Sequence, residues 1–331
     1  MILMWLGEED AALAAVTNSN KNIDVKQAVL ATFDRLNQNI IRDSDQDTNG
    51  IDCGVYADCP IYYDPTSITE SIQYMNANIH TLQPTIDERY QLARRNSANQ
   101  CQNAKVQKSG GWCLEPSRKS VGCLNVNVDP RVGCQIEPHD HGPIKVPEHH
   151  ALPAKVIVEE LVSLIDNNGI TSFNDFGAGI GQYKAAIQNR RPSVNWTSYD
   201  GAGNIEEWTK GFVKWIDLTN PASIPVADWA ISLEVGEHIP NKYEGMFLRN
   251  LHRHNCRGMI LSWAILGQGG NSHINCHSGA YLIPVLEELG YTLDDGLTQQ
   301  FRRGGDSHYD QYDWFKKSIL VFRRNVNACS A

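Results

Sequence analysis

The chain has 331 residues, of which 41% are hydrophobic and 20% charged, and its formal net charge is -9. This composition is typical of a soluble globular protein with ample material for an apolar core. The acidic balance disfavours nucleic acids and anionic membranes, so small molecules or proteins are the expected partners. No apolar stretch approaches the roughly 18 residues that a membrane-spanning helix needs, so membrane insertion of the mature chain is not expected.

Residues 1–150 are predicted to form a helical, cysteine-bearing N-terminal region. Apolar residues recur at spacings of three and four in segments that begin at Asp24 and Ser67, which predicts two helices. The second helix is expected to be interrupted at Pro84. From Asn99 to about residue 147 neither helical nor strand periodicity is present, so crosslinks or docking must hold this segment in place.

The cysteines are concentrated in the same region. Six precede residue 150, namely Cys53, Cys59, Cys101, Cys113, Cys123 and Cys134. Their clustering without a CxxC spacing predicts disulfides in the secretory pathway or outside the cell, with free thiols in the cytoplasm as the alternative. Cys256, Cys276 and Cys329 are interpreted as ordinary buried thiols. The apolar residues 1–6 are either the stub of a signal peptide or a start methionine followed by core residues.

Residues 151–325 alternate between helix-like and strand-like segments. An amphipathic helix is predicted from Ala154 to Gly169. After it, the strand-like segments are "SFNDFG", "NWTSYDG", "DWAISLEVGEHI", "RGMILSWAIL" and "SILVFRR", and the helical ones are "QYKAAIQNRR", "KYEGMFLRNLHRH" and "GAYLIPVLEELG". This alternation predicts an α/β fold, a doubly wound and mostly parallel sheet with helices on both faces. The last strand, which follows a polar insertion, is expected to run antiparallel.

A glycine-rich segment, "FNDFGAGIGQY", lies between the first predicted strand and the helix after it. It places Gly177, Gly179 and Gly181 at every second position. Bare backbone at a helix N-terminus suits an anion or a nucleotide, although a plain tight turn is the alternative. The dinucleotide fingerprint requires a glycine at position 182, where this chain has Gln182, and this disfavours a nicotinamide cofactor.

Three further features follow the predicted strands. Asp200 ends the second strand, about 20 residues past the loop, where a carboxylate can bind ribose hydroxyls. Asp217 and Ile216 fall in the next segment and suit an adenine ring. Glu234 and the pair Glu237–His238 lie at the carboxyl end of an apolar strand, the edge at which parallel sheets bind ligands.

In this order the four features resemble the motifs of class I S-adenosylmethionine-dependent methyltransferases. "DFGAGIGQY" is similar to the first motif, "SYDG" to the acidic second strand, "WIDL" to the third motif and "DWAISLEVGEHIP" to the fourth and post-fourth motifs. The resemblance covers residues 150–325 and implies a Rossmann-like seven-stranded sheet with S-adenosyl-L-methionine as the cofactor. "GGWCL", from Gly110 to Leu114, also resembles an element of poorly characterised animal methyltransferase-like proteins.

The resemblance implies a role for each matching residue. The cofactor-binding set would be Asp175, Gly177, Gly179 and Gly181 around the methionine part, Gln182 at one side of the pocket, Asp200 at the ribose, Ile216 and Asp217 at the adenine, and Glu234 near the cofactor amino group or the substrate. Tyr183 is interpreted either as part of this pocket or as packing of the helix on the sheet.

The predicted reaction is methyl transfer to an O or N atom of a small molecule or protein side chain. His238 is the candidate base, because its ordinary pKa near neutrality suits proton removal, and Glu237 would orient it or bind a cationic acceptor. A turn in which His238 only caps or packs is the alternative. A catalytically inactive methyltransferase-fold binding protein is the rival function, and the oligomeric state is left open.

Two histidine-bearing segments lie outside these motifs. A polar loop after the "ILSWAIL" strand could form a lid or an acceptor pocket, and it contains Trp263, Gln268, Gly269, Gly270, Asn271, His273, Asn275 and His277. His273, Cys276 and His277 superficially suggest zinc but lack a fourth ligand nearby, so no metal site is predicted. Residues 137–150 contain four histidines and are interpreted as a linker, a cover over the cofactor or acceptor, or a metal-binding segment.

Overall fold

The computed structural model describes residues 79–103, 113–114, 120–124, 144–147, 153–270, 272–303, 312–326 and 329. The predicted helix that begins at Asp24, the histidines between residues 137 and 150, and the side chains of Cys53, Cys59, Cys123 and Cys134 lie outside the described residues.

Two N-terminal elements differ from the sequence-based expectation. Helix α1, Ile79–Asn103, continues through Pro84, so the predicted interruption is wrong. Pro84 stands early in the helix and is exposed, so its missing N–H removes one bond near the helix start while the later turns remain intact. An antiparallel hairpin of β1, Ser120–Leu124, and β2, Ile144–Pro147, occupies a stretch for which no strand was predicted.

The main sheet contains seven strands in the order β5-β4-β3-β6-β7-β9-β8. Its strands are β3, Ser172–Phe176, β4, Asn195–Asp200, β5, Val213–Trp215, β6, Ala227–Leu233, β7, Asn255–Ser262, β8, Tyr291–Leu293, and β9, Ile319–Arg324. All neighbours pair in parallel except those of β9, which runs antiparallel to both β7 and β8 as expected. The strand order reverses between β3 and β6, and this switch point lies at the centre of the sheet.

The connecting helices are α2, Lys155–Asn168, α3, Gln182–Arg190, α4, Ile205–Trp208, α5, Glu244–Arg253, α6, Gly279–Glu288, α7, Asp295–Arg302, and α8, Phe315–Ser318. The short helices α4, α7 and α8 and the short strands β5 and β8 were not predicted. In the described part of the chain, no helix combines the length and the apolar character that crossing a membrane requires.

Apolar side chains on the two faces of the sheet enter two separate cores. In β9, Ile319 and Val321 pack with α2 and α7, whereas Leu320 and Phe322 pack with α5 and α6. The alternation follows from the two-residue period of a strand. Helices therefore cover both faces, and the predicted doubly wound, mostly parallel seven-stranded fold is confirmed.

A third core joins residues before position 151 to the β5 edge of the sheet. It contains Leu114, Ile144 and Val146 together with Phe212 and Trp215. Helix α1 is held at the same edge, since the hydroxyl of Tyr90 donates a 2.6 Å hydrogen bond to the backbone oxygen of Trp215. The division of the chain at residue 150 stays a prediction, and the described residues on its two sides share this core.

Two disulfides are present among the described residues. Cys101 bonds to Cys113, and Cys256 bonds to Cys329 with 4.9 Å between their Cα atoms. The interpretation of Cys256 and Cys329 as free thiols is therefore wrong, whereas Cys276 is free. These two cysteines are 73 residues apart in sequence, and the antiparallel pairing of β7 with β9 brings their chain segments together.

We expect His254 to make folding stability sensitive to acid. Its ring is buried, Nδ1 lies 2.8 Å from the backbone oxygen of Asn250, and burial lowers its pKa to about 3. The unfolded chain binds a proton near pH 6.5 and the folded chain does not, so this contribution is complete above pH 6.5 and is lost as pH falls toward 3. At pH 5 the loss amounts to about 2 kcal/mol for one such group.

The measurement is denaturant unfolding of wild type and His254→Asn between pH 7.5 and pH 5. The variant is expected to be less stable at pH 7.5, because the smaller side chain leaves a void. The difference between the two proteins should shrink as the pH falls. Parallel stability curves would contradict the assignment of a buried neutral imidazole.

Candidate functional site

The glycine loop connects the end of β3 to the start of α3 at the switch point of the sheet. Gly177, Gly179 and Gly181 have φ values of 73°, 57° and 88°, a region that residues with a side chain rarely adopt. The backbone N–H of Ala178 donates a 2.9 Å hydrogen bond to the carbonyl of Tyr199 in β4. The alternating glycines thus let the chain turn sharply at the edge where parallel sheets bind ligands.

The same loop touches the turn that follows β6. A Cβ atom added to Gly177 would lie 2.3 Å from Cγ2 of Val235, which is closer than real atoms approach. The glycine loop and the turn carrying Glu234 and Glu237 are therefore packed against each other.

Asp200 binds the glycine loop directly. Its Oδ2 accepts a 2.9 Å hydrogen bond from the backbone N–H of Gly179, and its Oδ1 accepts one of 3.0 Å from Ala202. Burial raises the pKa of Asp200 to about 6, while the backbone N–H groups of Ala202, Gly179 and Gly201 act in the opposite direction. The carboxylate is mostly ionised at neutral pH, and the three N–H groups leave it at least one lone-pair position for a ligand hydroxyl.

Asp175 faces the sheet interior rather than the loop. Its Oδ2 accepts hydrogen bonds of 3.1 Å from Trp196 Nε1 and 2.9 Å from Ser198 Oγ. Burial raises its pKa to about 6, and those two hydrogen bonds partly offset the rise. These contacts tie β3 to β4 beneath the loop, so the predicted contact of Asp175 with a cofactor stays a prediction.

The predicted adenine residues are engaged within the protein. Ile216 has no solvent-exposed surface and lies in a core, and the carboxylate of Asp217 accepts bonds from the backbone and hydroxyl of Thr219 and from Asn220. An adenine contact at this point requires side-chain rearrangement. The contacts of Asp217 are local, because the residues directly after it make the turn that satisfies its carboxylate.

The side chains flanking the loop have different environments. Gln182 begins α3 and is buried. Tyr183 packs on the α2 core, and its hydroxyl oxygen accepts a bond from the backbone N–H of Ala154, which favours the packing interpretation. Glu234 has a φ of 55°, and its carboxylate oxygens accept bonds from Gln268 and Ser318.

Glu237 and His238 lie in the turn after β6, and His273 joins them. The Nε2 atoms of His238 and His273 are 4.0 Å and 3.9 Å from Oε1 of Glu237, beyond hydrogen-bond distance. Glu237 therefore makes no direct hydrogen bond to His238, and its role in orienting His238 or binding a cationic acceptor stays a prediction. The backbone oxygen of Ser272 lies 3.1 Å from the other ring nitrogen of His238, Nδ1.

The carboxyl group of Glu237 is the least compensated polar group of the site. Its side chain has no exposed surface, and within the described residues neither oxygen makes a hydrogen bond of normal geometry. Burial and the nearby carboxylate of Glu234 raise the pKa of Glu237 to about 8, although the backbone N–H groups of Glu237 and Ala264 partly offset this. Burial also lowers the pKa of His238.

The loop between β7 and α6 is fixed by buried polar contacts. Glu244 accepts hydrogen bonds from Asn275, His277 and Tyr281, and Trp263 Nε1 donates to the backbone oxygen of Asn275. His277 therefore supports the loop rather than the superficial zinc set of His273, Cys276 and His277. Sequence reasoning missed the grouping of His273 with Glu237 and His238, since they are separated by more than one element of the fold.

The N-terminal helix closes the opposite side of the site. A Cβ atom added to Gly203 would lie 2.5 Å from the backbone oxygen of Ser97 and 2.6 Å from Sγ of Cys101. Asn204 also pairs with both backbone groups of Leu114. Helix α1 and the end of the "GGWCL" element thus pack on the turn that directly follows Asp200.

These residues fit the cofactor that the sequence resemblance implies. Bare loop backbone adjoins an ionised carboxylate with free lone pairs, at the carboxyl edge of the sheet. Gly177, Gly179 and Asp200 are the residues best placed for such a ligand, whereas Ile216 and Asp217 need rearrangement.

Comparisons with known proteins give solved methyltransferase structures. A magnesium protoporphyrin IX methyltransferase from Synechocystis PCC 6803, solved with bound SAH, is 18% identical over 51% of this chain and 82% of its own, with a TM-score of 0.37. A sugar N-methyltransferase from Streptoalloteichus sp ATCC 53650 is 10% identical over 54% of this chain and 89% of its own, with a TM-score of 0.41.

A third structure, an O-methyltransferase family protein from Burkholderia thailandensis, is 10% identical over 53% of this chain and 57% of its own, with a TM-score of 0.39. No protein-family model matches the sequence, and no curated protein matches it. The assignment of function therefore depends on the residues of the site itself.

We expect Gly177→Ala to destabilise the fold more than Gly169→Ala. Both glycines have positive φ, 73° and 56°, but a Cβ atom at Gly177 meets Val235 and one at Gly169 meets nothing within 4 Å. The control should lose about 1 kcal/mol from its backbone conformation. Gly177→Ala should lose about 1–3 kcal/mol more from overpacking.

Denaturant unfolding of both variants, alone and combined with Val235→Ala, measures this difference. The coupling with Val235→Ala should be about 1 kcal/mol for Gly177→Ala and near zero for Gly169→Ala. Equal losses and no coupling would refute the close packing of the two loops.

Proposed function

We propose that the protein is an S-adenosylmethionine-dependent methyltransferase that transfers a methyl group to an O or N atom of a small molecule or protein side chain. The observation that carries the proposal is the bond between Asp200 and the backbone of Gly179 at the switch point of the sheet. It joins a carboxylate suited to ribose hydroxyls to a loop of bare backbone, and the turn from Glu234 to His238 lies beside them.

In this proposal the chain's residues divide into two groups. Gly177, Gly179 and Asp200 bind and orient the cofactor, which when bound supplies an electrophilic methyl group on a sulfonium. Methyl transfer then needs alignment and exclusion of water more than covalent help from the protein. The polar loop around His273 and helix α1 flank the region and would limit its exposure to solvent.

His238 is the proposed base for an acceptor that must lose a proton. Its Nδ1 faces the carbonyl of Ser272, so the proton lies on Nδ1 and the lone pair on Nε2 is free. The side chain is 42% exposed, so an acceptor can reach it. Glu237 is buried behind it and would favour a cationic acceptor or ion by its charge.

A methyltransferase-fold binding protein without activity is the second candidate. Two contacts favour it: Ile216 is buried in the core, and the carboxylate of Asp217 is hydrogen-bonded within its own turn. A protein that recognises only part of a nucleotide, or a protein partner, would need no adenine contact there.

We also propose membership of the animal methyltransferase-like group that has the "GGWCL" element, and a location in the secretory pathway or outside the cell. Leu114 of that element is clamped by Asn204 beside the predicted ribose site, and two disulfides are present among the described residues. Disulfides persist mainly in oxidising compartments.

Calorimetry with S-adenosylmethionine and with NADH tests the cofactor. We expect S-adenosylmethionine to bind, NADH not to bind, and Asp200→Asn to weaken binding by about tenfold or more, because hydrogen bonds to a charged group are lost. Asp166→Asn is the matched control. This exposed carboxylate in α2 pairs with Arg191 at the C-terminal end of α3, the end away from the glycine loop.

Unchanged affinity in Asp200→Asn would overturn the placement of the pocket. Binding of NADH alone would replace the methyltransferase proposal with a nicotinamide enzyme, and binding of neither ligand would reject both.

Turnover of S-adenosylmethionine against pools of small molecules and peptides tests activity. Once an acceptor is found, we expect His238→Gln to lower kcat by about a hundredfold, the usual contribution of a base, with unchanged cofactor affinity. Full activity of His238→Gln would exclude it as the base. Cofactor binding with no turnover in any pool would favour the inactive binding protein.

A further inference from the structure

We propose that Glu237, His238 and His273 form a binding site for a divalent transition-metal ion. The ligand atoms of the three side chains lie within 4.8 Å of one another. The site goes beyond the proposed methyl transfer and does not depend on it, because it is defined by these side chains alone.

The hydrogen bonds of the two histidines select the ligating nitrogen. Nδ1 of His238 lies 3.1 Å from the backbone oxygen of Ser272, and Nδ1 of His273 lies 3.1 Å from that of Gln268. A carbonyl oxygen only accepts, so in each neutral ring Nδ1 carries the proton and Nε2 carries the lone pair. Metal-binding histidines are commonly held in this way, with the second nitrogen bonded to a carbonyl or carboxylate.

Both lone pairs face the same carboxylate oxygen. Nε2 of His238 is 4.0 Å and Nε2 of His273 is 3.9 Å from Oε1 of Glu237. These distances are too long for hydrogen bonds. The two Nε2 atoms and Oε1 of Glu237 therefore lie near one another as three possible metal ligands. In the described part of the chain, no lysine or arginine lies within 4.0 Å of the carboxyl group of Glu237.

The burial of Glu237 is a second observation that points to a ligand. Its side chain has no exposed surface, and both oxygens lack a hydrogen bond among the described residues. A buried carboxylate without compensation is costly, and proteins normally pair such a group or coordinate a metal with it. The carboxylate of Glu234 adds negative charge nearby, and its own oxygens are bonded to Gln268 and Ser318.

Backbone hydrogen bonds hold the three side chains of the site together. The carbonyl of Glu237 accepts hydrogen bonds from the N–H groups of Ile274 and Asn275, at 2.9 Å and 3.1 Å. Asn275 is fixed in turn by the buried carboxylate of Glu244. His273 is therefore held beside Glu237 by the residues directly after it, although 35 positions separate His273 from His238.

The donor set indicates the kind of ion. Two imidazoles and one carboxylate suit Mn²⁺, Fe²⁺, Co²⁺ or Zn²⁺ better than Mg²⁺ or Ca²⁺, which prefer oxygen ligands. Tetrahedral Zn²⁺ requires ligand atoms about 3.4 Å apart, so the two distances from Glu237 Oε1 to the imidazole nitrogens must shorten by roughly half an ångström. His238 is 42% exposed, and this open side leaves coordination positions for water or for an acceptor.

A second cluster of possible ligands does not qualify. Asp228 lies near Cys256 and Cys329, but these two sulfurs are bonded to each other and are not thiolates.

An ion bound by Glu237, His238 and His273 would use the Nε2 lone pair of His238. A metal-bound His238 would therefore be a ligand rather than a free base.

The test is calorimetry of the untagged full chain, freed of metal by chelation, with Zn²⁺ and with Co²⁺, and Mg²⁺ as the comparison ion. We expect one equivalent of Zn²⁺ or Co²⁺ to bind, Co²⁺ to give visible d–d absorption from nitrogen coordination, and Mg²⁺ to bind much more weakly. Glu237→Gln and His273→Gln should each weaken Co²⁺ binding by about tenfold or more.

A pair of neighbouring glycines gives a matched control that keeps all three ligands. A Cβ atom added to Gly270 would lie 2.1 Å from Nε2 of His273, whereas one added to Gly269 meets nothing within 4 Å. Gly270→Ala should therefore block or displace the imidazole and weaken Co²⁺ binding, and Gly269→Ala should not. This pair keeps the proposal testable if Glu237→Gln or His273→Gln fails to fold.

Two more variants separate this site from other sources of binding. His149→Gln combined with His150→Gln should leave Co²⁺ binding unchanged, and so should Asp200→Asn, which tests the cofactor pocket independently. No stoichiometric Co²⁺ binding to wild type would overturn the proposal. Co²⁺ binding that is unchanged in Glu237→Gln would also overturn it. Loss of Co²⁺ binding in the double variant of His149 and His150 would do the same.

Discussion

The hydrogen bond between the carboxylate of Asp200 and the backbone N–H of Gly179 is the contact on which the site depends. It joins the ends of β3 and β4 at the point where the strand order reverses. Glycine adopts the positive φ values of the loop most readily, and Asp200 at the end of the next strand reaches the N–H of Gly179. The buried bonds from Trp196 and Ser198 to Asp175 lock the same two strands from below.

A second constraint is the carboxyl group buried in the turn after β6. Among the described residues, neither oxygen of Glu237 has a hydrogen-bond partner, whereas the buried Glu244 accepts bonds from three donors. A buried unpaired carboxylate opposes folding, so its presence points to a use of that side chain. The adjacent backbone hydrogen bonds show that the surrounding loop is organised around it.

Residues before position 151 help to form the site as well as the core. Tyr90, Arg94 and Leu114 contact the β5 edge and the turn after Asp200, through Trp215, Glu206 and Asn204 respectively. The disulfide between Cys101 and Cys113 links helix α1 to the residue directly before Leu114. The N-terminal segment is thereby positioned as one wall beside the predicted cofactor pocket.

Periodicity in the sequence was enough to predict the α/β class, the main strands and helices, the antiparallel last strand and the order of the motifs. These features are local: alternating apolar residues define strands, glycines define the turn, and a carboxylate at a strand end lies at the ligand edge of a parallel sheet. The short strands β5 and β8 and the hairpin of β1 and β2 were missed, because tertiary packing outweighs weak local preference in short elements. The continuation of α1 through Pro84 was missed because a proline near the start of a helix removes only one hydrogen bond.

The sequence by itself determined which residues lie at the carboxyl edge of the sheet. Strands that alternate with helices run parallel, so the residues that end each strand meet at the same edge. Only the tertiary structure decided what those residues contact: Asp217 is satisfied by its own turn, Cys256 bonds to Cys329, and His273 comes beside Glu237 and His238. Such contacts join segments that are distant in sequence or depend on the path of a loop. Their distances follow from the packing of strands and loops, which residue spacing alone does not encode.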